Sequence, residues 1–375
     1  MRIAVNTRFL LPGYLEGYGH FIREVFSRLV QQHPQHEFIF LFDRPYEQPY
    51  VFGSNVQPVV IGPPARHPVL WKWWYDYRVP PILKKLRADV LVSPDGFCSL
   101  RTRVPQVTVI HDLAFLHRPK DITRSHLLFY KTYTPKFIKK SSRVITVSET
   151  SAQDILQHYP AAANKITVAP NAAREIFQPL TWEQKEAVKA QYTGGKEYFL
   201  YTGSIHPRKN LVGLLKAFSV FKKWQQSDMK LLLCGRMAWK NGEFLESLNT
   251  YKYRKDVQLT GYLPETELAQ LVAAAYAMVY PSFFEGFGMP LVEAMQAGTP
   301  VVASDIAALR ETGGDAVLLA NPNDFNDLAA QMMHVYKDES LRARLIEKGK
   351  IQAARFNWQQ TAETVWACIQ KAAEK

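Results

Sequence analysis

The chain is poor in cysteine: Cys98, Cys234 and Cys368 are the only three in 375 residues, and none forms a Cys-x-x-Cys pair. So sparse and odd a set excludes a disulfide scaffold and a zinc-finger framework, and favours a reducing compartment. Long apolar runs are lacking too. No stretch approaches the roughly 18 consecutive apolar residues of a membrane span. The opening MRIAVNTRFL has no apolar signal core and reads as a strand. A cytoplasmic protein is the expectation. Asp-x-Asp is absent, as are Gly-x-Gly-x-x-Gly and a lysine-bearing phosphate loop, so the common nucleotide fingerprints find no support. No internal repeat, low-complexity tract or nucleic-acid motif occurs.

What is present is the composition of a globular protein, 47% hydrophobic and 21% charged. Its length is too great for one ordinary core and suits two domains. The net charge of +12 is unevenly placed: residues 1–175 hold 23 Lys+Arg against 13 Asp+Glu, and the remainder 23 against 21. A basic first half implies an anionic partner such as nucleic acid, lipid head groups or a phosphorylated substrate. A plain solubilising excess fits as well.

Short β-branched runs at 3–6, 38–42, 56–61, 90–93, 107–110, 144–147 and 166–168 alternate with amphipathic stretches such as 20–31 and 148–158. That alternation predicts a parallel α/β sheet. The segment 169–179, with two prolines, breaks the pattern and reads as a linker. The grammar then restarts, with strands predicted at 198–201, 230–234, 257–259, 277–280, 301–303 and 316–319, and helices at 211–224, 265–273, 291–297 and 325–336. The fold class is α/β, two doubly wound Rossmann-like domains facing a cleft. The expected division is 1–172, 173–355 and a last helix, 356–375, carrying Trp358 and Trp366.

In open parallel sheets ligands sit beyond the C-terminal strand ends, so the loops there carry the candidates. The segment Tyr280-Pro-Ser-Phe-Phe-Glu-Gly-Phe-Gly-Met-Pro-Leu-Val-Glu293 runs from a strand into a helix predicted to begin at Pro290. Gly286 and Gly288 permit close backbone approach, and the free amides of the helix start suit a phosphate. Glu285 and Glu293 are placed to accept from sugar and ribose hydroxyls; a surface carboxylate and a helix-dipole carboxylate are the bland alternatives. Tyr201-Thr-Gly-Ser-Ile-His-Pro-Arg-Lys-Asn210 also follows a strand and opens a helix. Arg208 and Lys209 there oppose the helix dipole, a mismatch that a bound anion would relieve. His111-Asp112 ends another strand, where histidine serves as contact, acid or base, or simply as structure. The joint Leu11–His20, with Gly17, Tyr18 and Gly19, reads either as a mobile substrate loop or as an ordinary turn.

These segments, in this order, resemble the retaining glycosyltransferases of family 4, which have the GT-B architecture. The most specific part is the Glu285-to-Glu293 element followed by Ala294-Met-Gln-Ala-Gly-Thr-Pro-Val-Val302; the Gly203-Ser204…Pro-Arg-Lys-Asn element, His111-Asp112 and Val147-Ser-Glu-Thr-Ser151 add to it. The resemblance implies a C-terminal domain for the nucleotide sugar, an N-terminal domain for the acceptor, and a last helix crossing back to the N-terminal domain. It implies diphosphate contacts by Arg208 and Lys209, with Gly17, Tyr18 and Gly19 in a nearby acceptor or diphosphate loop. Glu285 and His111 would face the donor sugar, and Glu293 the ribose. The amides of Gly286, Phe287, Gly288 and Met289, with Gly203 and Ser204, would line the donor. Arg236, Tyr262 and Leu263 would wall the base.

The implied reaction moves a sugar from a nucleoside diphosphate to a hydroxyl with retention, with no cofactor and no metal ligand set. The motif forms look most like bacterial mannosyl- and rhamnosyltransferases of cell-surface polysaccharide synthesis, so GDP-mannose is the first expectation and a UDP-hexose the second. The basic first half and Trp71-Lys-Trp-Trp-Tyr-Asp-Tyr77 suggest a polyprenyl-diphosphate-linked glycan acceptor at an anionic inner-membrane face. The alternative for that run is a buried aromatic helix. A sugar-nucleotide epimerase or other GT-B enzyme is the rival function, and a basic nucleic-acid binder a more distant one.

Overall fold

A computed structural model describes residues 1–238 and 241–374. It divides into two compact units, Met1–Asn171 with Asn357–Lys375, and Ala172–Phe356.

The first unit is built on a parallel sheet of β1 (Arg2–Asn6), β2 (Glu37–Phe42), β3 (Val56–Val60), β4 (Val90–Ser93), β5 (Gln106–Val109), β6 (Arg143–Thr146) and β7 (Ile166–Val168). The order is β3-β2-β1-β4-β5-β6-β7, so the winding reverses between β1 and β4. The second unit repeats the scheme with β8 (Tyr198–Thr202), β9 (Lys230–Cys234), β10 (Val257–Gly261), β11 (Ala277–Tyr280), β12 (Val301–Ser304) and β13 (Val317–Ala320). Its order is β10-β9-β8-β11-β12-β13, reversing between β8 and β11. Central strands such as Ile3–Val5, Val90–Val92 and Leu231–Leu233 are wholly inaccessible. Helices on both faces leave no polar side, which is why these strands read as unbroken apolar runs. The strands predicted from sequence all occur, with ends moved by a few residues at most.

Helices depart further from expectation. The first begins at Gly17 rather than residue 20 and spans Gly17–Gln32. Trp182–Thr193, Gly242–Asn249, Ala307–Gly313 and Glu339–Ala353 were not anticipated. The last helix, Trp358–Ala373, buries Trp358, Ala362, Val365, Trp366 and Ile369 within the first unit. Its Trp358 ring meets Phe21 at 6.2 Å, and Trp366 stacks on His33 at 3.7 Å.

The aromatic run splits between two environments. Helix Pro68–Trp73 passes into a widened turn, Trp74–Arg78. Trp71, Trp74 and Tyr75 are buried, and the two indole N–H groups donate to the carbonyls of Ala65 and Ile61 at 2.7 Å. Trp73 and Tyr77 are 38% and 48% exposed, with the guanidinium groups of Arg78 and Arg101 lying over their rings. Half the segment is thus a core anchor. No helix among the described residues is long and apolar enough to cross a membrane.

Candidate active site

The reversal between β8 and β11 parts two loops, and the strongest candidates follow those two strands. After β8 the chain makes a tight turn, Pro207–Lys209, with Asn210 in the left-handed region (φ 57°) before helix Leu211–Gln225. Asparagine tolerates that backbone. Its side-chain amide donates to Pro281 O at 3.1 Å and Pro322 O at 2.9 Å, tying together the loops after β8, β11 and β13. Arg208 and Lys209 therefore precede the helix by a turn instead of opening it. After β11, Gly288 (φ 98°) caps helix Met289–Gln296, so Pro290 is its second residue and not its first.

These two loops meet at Glu285. Lys209 Nζ lies 2.6 Å from Glu285 Oε1 and donates to the Tyr280 hydroxyl at 2.7 Å. Arg208 Nη1 is 3.2 Å from Glu285 Oε2 and 2.6 Å from Phe284 O. The Phe283 amide in turn donates to Arg208 O at 2.9 Å. Burial opposes the Glu285 charge, but Arg208 and then Lys209 outweigh it and hold the carboxyl at a pKa of about 2. Two cations and a carboxylate are gathered here in a partly desolvated setting. Such a group attracts an anion more strongly than the same charges in water.

Glu293 is buried one turn into its helix and is held by a residue not singled out in the sequence. Arg174 Nε donates to Glu293 Oε1 at 2.7 Å, and its Nη1 to Glu265 Oε1 at 2.6 Å. Arg174 is itself buried; desolvation works against its charge, yet the two carboxylates push its pKa up. It lies in the 169–179 segment, whose prolines mark a linker and hide a buried charge. The Gln296 amide fixes that segment further by donating to Arg174 O and Phe177 O at 2.9 and 3.0 Å.

The remaining donor candidates sit around the same strand ends. Gly203 N donates to Cys234 O at 2.9 Å, continuing the β8–β9 ladder. A β-carbon on Gly235 (φ 150°) would lie 1.9 Å from Gly203 O, so only glycine allows these backbones to approach. Ser204 O accepts from the Tyr201 hydroxyl at 2.9 Å. Arg236 follows β9 and is exposed; Leu263 follows β10 beside Tyr262, which is 43% exposed. Gly286, Phe287 and Gly288 are buried, and Met289 is half-buried. Thr312 Oγ1 donates to Phe287 O at 2.6 Å and fixes the loop.

His111, Gly17, Tyr18 and Gly19 belong to the first unit. Gly17–Gly19 form the first turn of helix Gly17–Gln32, which corrects their reading as a loop. The reason is packing: a β-carbon on Gly19 would fall 2.6 Å from Phe9 O, so the helix is seated against the strand-to-helix joint. Tyr18 meets His111 edge to face at 4.7 Å, and Phe21 does so at 5.2 Å. His111 Nε2 donates to Pro94 O at 3.0 Å. Burial lowers its pKa, outweighing that carbonyl and Asp112, so the ring is neutral near pH 7. A second buried charge at this sheet's reversal also escaped the sequence reading. Arg8 Nε donates to Asp95 Oδ2 at 2.7 Å, and Asn6 and Tyr75 donate to the same carboxylate at 2.8 Å.

Two doubly wound units, with a cationic cluster at the switch point of one, define a GT-B glycosyltransferase framework. The family model of glycosyl transferases group 1 matches residues 183–352, and that of glycosyltransferase family 4 matches residues 16–174. The O-antigen chain mannosyltransferase B of Escherichia coli is 30% identical over 261 residues, 69% of this chain and 68% of that one. The serotype-specific mannosyltransferase WbdA of Escherichia coli is 27% identical over 238 residues, 62% of this chain but 29% of that longer protein. Among solved structures, Anabaena HepE in complex with UDP-glucose superposes with a TM-score of 0.76 at 18% identity, covering 98% of this chain and 100% of that one. The chain belongs to the family 4 glycosyltransferases with GT-B fold, and is a hexosyltransferase.

Proposed function

We propose that the chain transfers mannose from GDP-mannose to a hydroxyl of a glycan or polyprenyl-diphosphate-linked glycan, retaining the anomeric configuration and using no metal at the diphosphate. The observation that carries this reading is the Arg208–Lys209–Glu285 cluster at the β8/β11 reversal. In it, Arg208 and Lys209 neutralise the leaving diphosphate, with help from the amides of Gly286, Phe287, Gly288 and Met289 at the helix start. Glu285 orients the donor sugar, and Glu293, fixed by Arg174, accepts from the ribose. Gly203 and Ser204 border the diphosphate, while Arg236 and Leu263 flank the base.

The bond from the anomeric carbon to the diphosphate oxygen breaks while the acceptor oxygen bonds to that carbon on the same face. The acceptor proton passes to the departing phosphate oxygen. Glu285 is held by Arg208 and Lys209 on both of its oxygens, an arrangement that suits a positioning carboxylate better than a covalent nucleophile. His111, neutral at pH 7 and with Tyr18 packed on its ring, is the first unit's candidate for recognising the sugar.

The mannosyl assignment draws on the named activity of the Escherichia coli relatives. A UDP-hexose is the second reading, favoured by the UDP-glucose bound to HepE. For a lipid-linked acceptor, the basic first half and the exposed Trp73 and Tyr77 suit peripheral contact with an anionic inner membrane from the cytoplasm. A thermal-shift panel of GDP, UDP, TDP and ADP sugars tests the donor, because ligand that binds the folded state raises its melting temperature. GDP-mannose is expected to give the largest shift. A largest shift with a UDP sugar overturns the base assignment, and epimerisation of the donor without acceptor overturns the transferase reading.

A further inference from the structure

We infer that His117, Asp154 and His158, in the first unit, form a binding site for a first-row transition-metal ion such as Zn2+. His117 closes the short helix Ala114–His117, on the chain that leaves β5 through His111. Asp154 and His158 are four residues apart on helix Glu149–His158 and so share one face. His117 Nε2 lies 2.9 Å from both Asp154 oxygens, and His158 Nδ1 lies 3.1 Å from Asp154 Oδ1. One ligand atom from each residue can be chosen so that all lie within 4.8 Å of one another. In a tetrahedral site with bonds of about 2.0–2.1 Å, ligand atoms stand roughly 3.3 Å apart. The two nitrogen-to-carboxylate distances are already close to that value.

The donor set selects the ion. His117 Nε2 faces the carboxylate, whereas His158 Nδ1 faces both the Asp154 main-chain carbonyl, at 3.0 Å, and the carboxylate. Oxygens of both kinds only accept, so each ring nitrogen carries its proton there. A metal ion can replace those protons and be held by two imidazoles and one carboxylate. That combination suits Zn2+, Co2+ or Ni2+, whereas Mg2+ and Ca2+ prefer all-oxygen shells. Both histidines are exposed, leaving a fourth position for water. The competing account is a metal-free staple in which the two rings simply hydrogen-bond to Asp154.

An ion there clamps the segment that presents His111. Helix Glu149–His158 meets that segment near its other end as well, where Ser151 Oγ donates to His111 O at 3.3 Å. Apart from His111 and the Gly17–Gly19 turn, the residues assigned to the donor lie in the other unit, and no ligand of this ion is among them.

The test uses the full chain without an affinity tag, titrated with Co2+ by visible absorption and with Zn2+ by calorimetry. The expected result is one ion per chain, with the intense visible bands of tetrahedral Co2+. His117→Ala and His158→Ala are each expected to weaken Zn2+ binding by more than about tenfold. His33→Ala, at a histidine stacked on Trp366 instead, is expected to leave Zn2+ binding unchanged. Asp154→Asn keeps the side chain's shape and also weakens the ion, which guards against a misfolded alanine variant. Hydrogen exchange adds a readout: Zn2+ should slow exchange over residues 112–117 in the wild type and not in His117→Ala. Absence of the Co2+ bands, or uptake that survives both histidine substitutions, overturns the inference and leaves the hydrogen-bonded staple.

Discussion

Burial alone would make Glu285 harder to ionise, yet Arg208 and Lys209 hold its pKa at about 2, well below the ordinary 4.5. A folded-state value below the unfolded one contributes stability that is present above about pH 4.5 and is lost as pH falls toward 2. Glu285→Gln removes that contribution and strands Lys209 without its carboxylate, so a loss of about 3 kcal/mol is expected at neutral pH. Urea melts across pH check this: the gap from wild type should narrow on acidification, and a gap independent of pH would contradict the ion-pair account. Arg174→Met removes the cation that Glu293 and Glu265 both reach. It should cost about 3–5 kcal/mol in chemical denaturation and weaken nucleotide binding in calorimetry. Glu285, Arg208 and Lys209 were legible as candidates because each stands in a strand-to-helix loop, but it was the family resemblance, not the loops, that gave them their roles. Arg174 and Arg8 were not legible, because a buried charge is recognised only by the carboxylate that reaches it from elsewhere in the chain.

The elements that position these residues were legible to different degrees. Strands buried on both faces must be apolar throughout, so Phe38–Phe42 or Leu231–Leu233 announce themselves. Helices Trp182–Thr193 and Glu339–Ala353 bury few apolar side chains, Val188 in the first and Leu345 and Ala353 in the second, and thus show little stripe. Their capping residues were the available signal. Thr181 and Gln184 form a reciprocal capping box, and Asp338 accepts from Leu341 N. The strand ends β8 and β9 depend on Gly235, where a β-carbon would strike the Gly203 carbonyl. Gly235→Ala must part the two loops, and a loss of at least about 2 kcal/mol is expected in thermal or urea melts. Nucleotide binding should weaken with it, since Gly203 and Ser204 move. An unchanged affinity would remove those two residues from the donor site.

At the scale of the molecule, two α/β units were evident from the strand grammar restarting after residue 179, but the membership of the last helix was not. Only family resemblance pointed the helix to the first unit, because an amphipathic stripe does not name its partner. Trp358, Val365, Trp366 and Ile369 are buried there, each worth about 1.5–3 kcal/mol, a sum comparable with the whole stability of a domain. Ending the chain at Phe356 should therefore abolish hydrogen-exchange protection in helix Gly17–Gln32 while the second unit keeps its own. The excess of positive charge, 23 Lys+Arg against 13 Asp+Glu over residues 1–175, lies in the first half of the chain. The central claim is that Arg208, Lys209 and Glu285 act on a nucleoside-diphosphate sugar, and single-turnover sugar transfer by wild type, Lys209→Ala and Glu285→Gln tests it most directly. Transfer slowed by about 100-fold or more in both variants, in protein that remains folded and saturated with nucleotide sugar, is the predicted result. Transfer at the wild-type rate by Glu285→Gln with nucleotide still bound would contradict it.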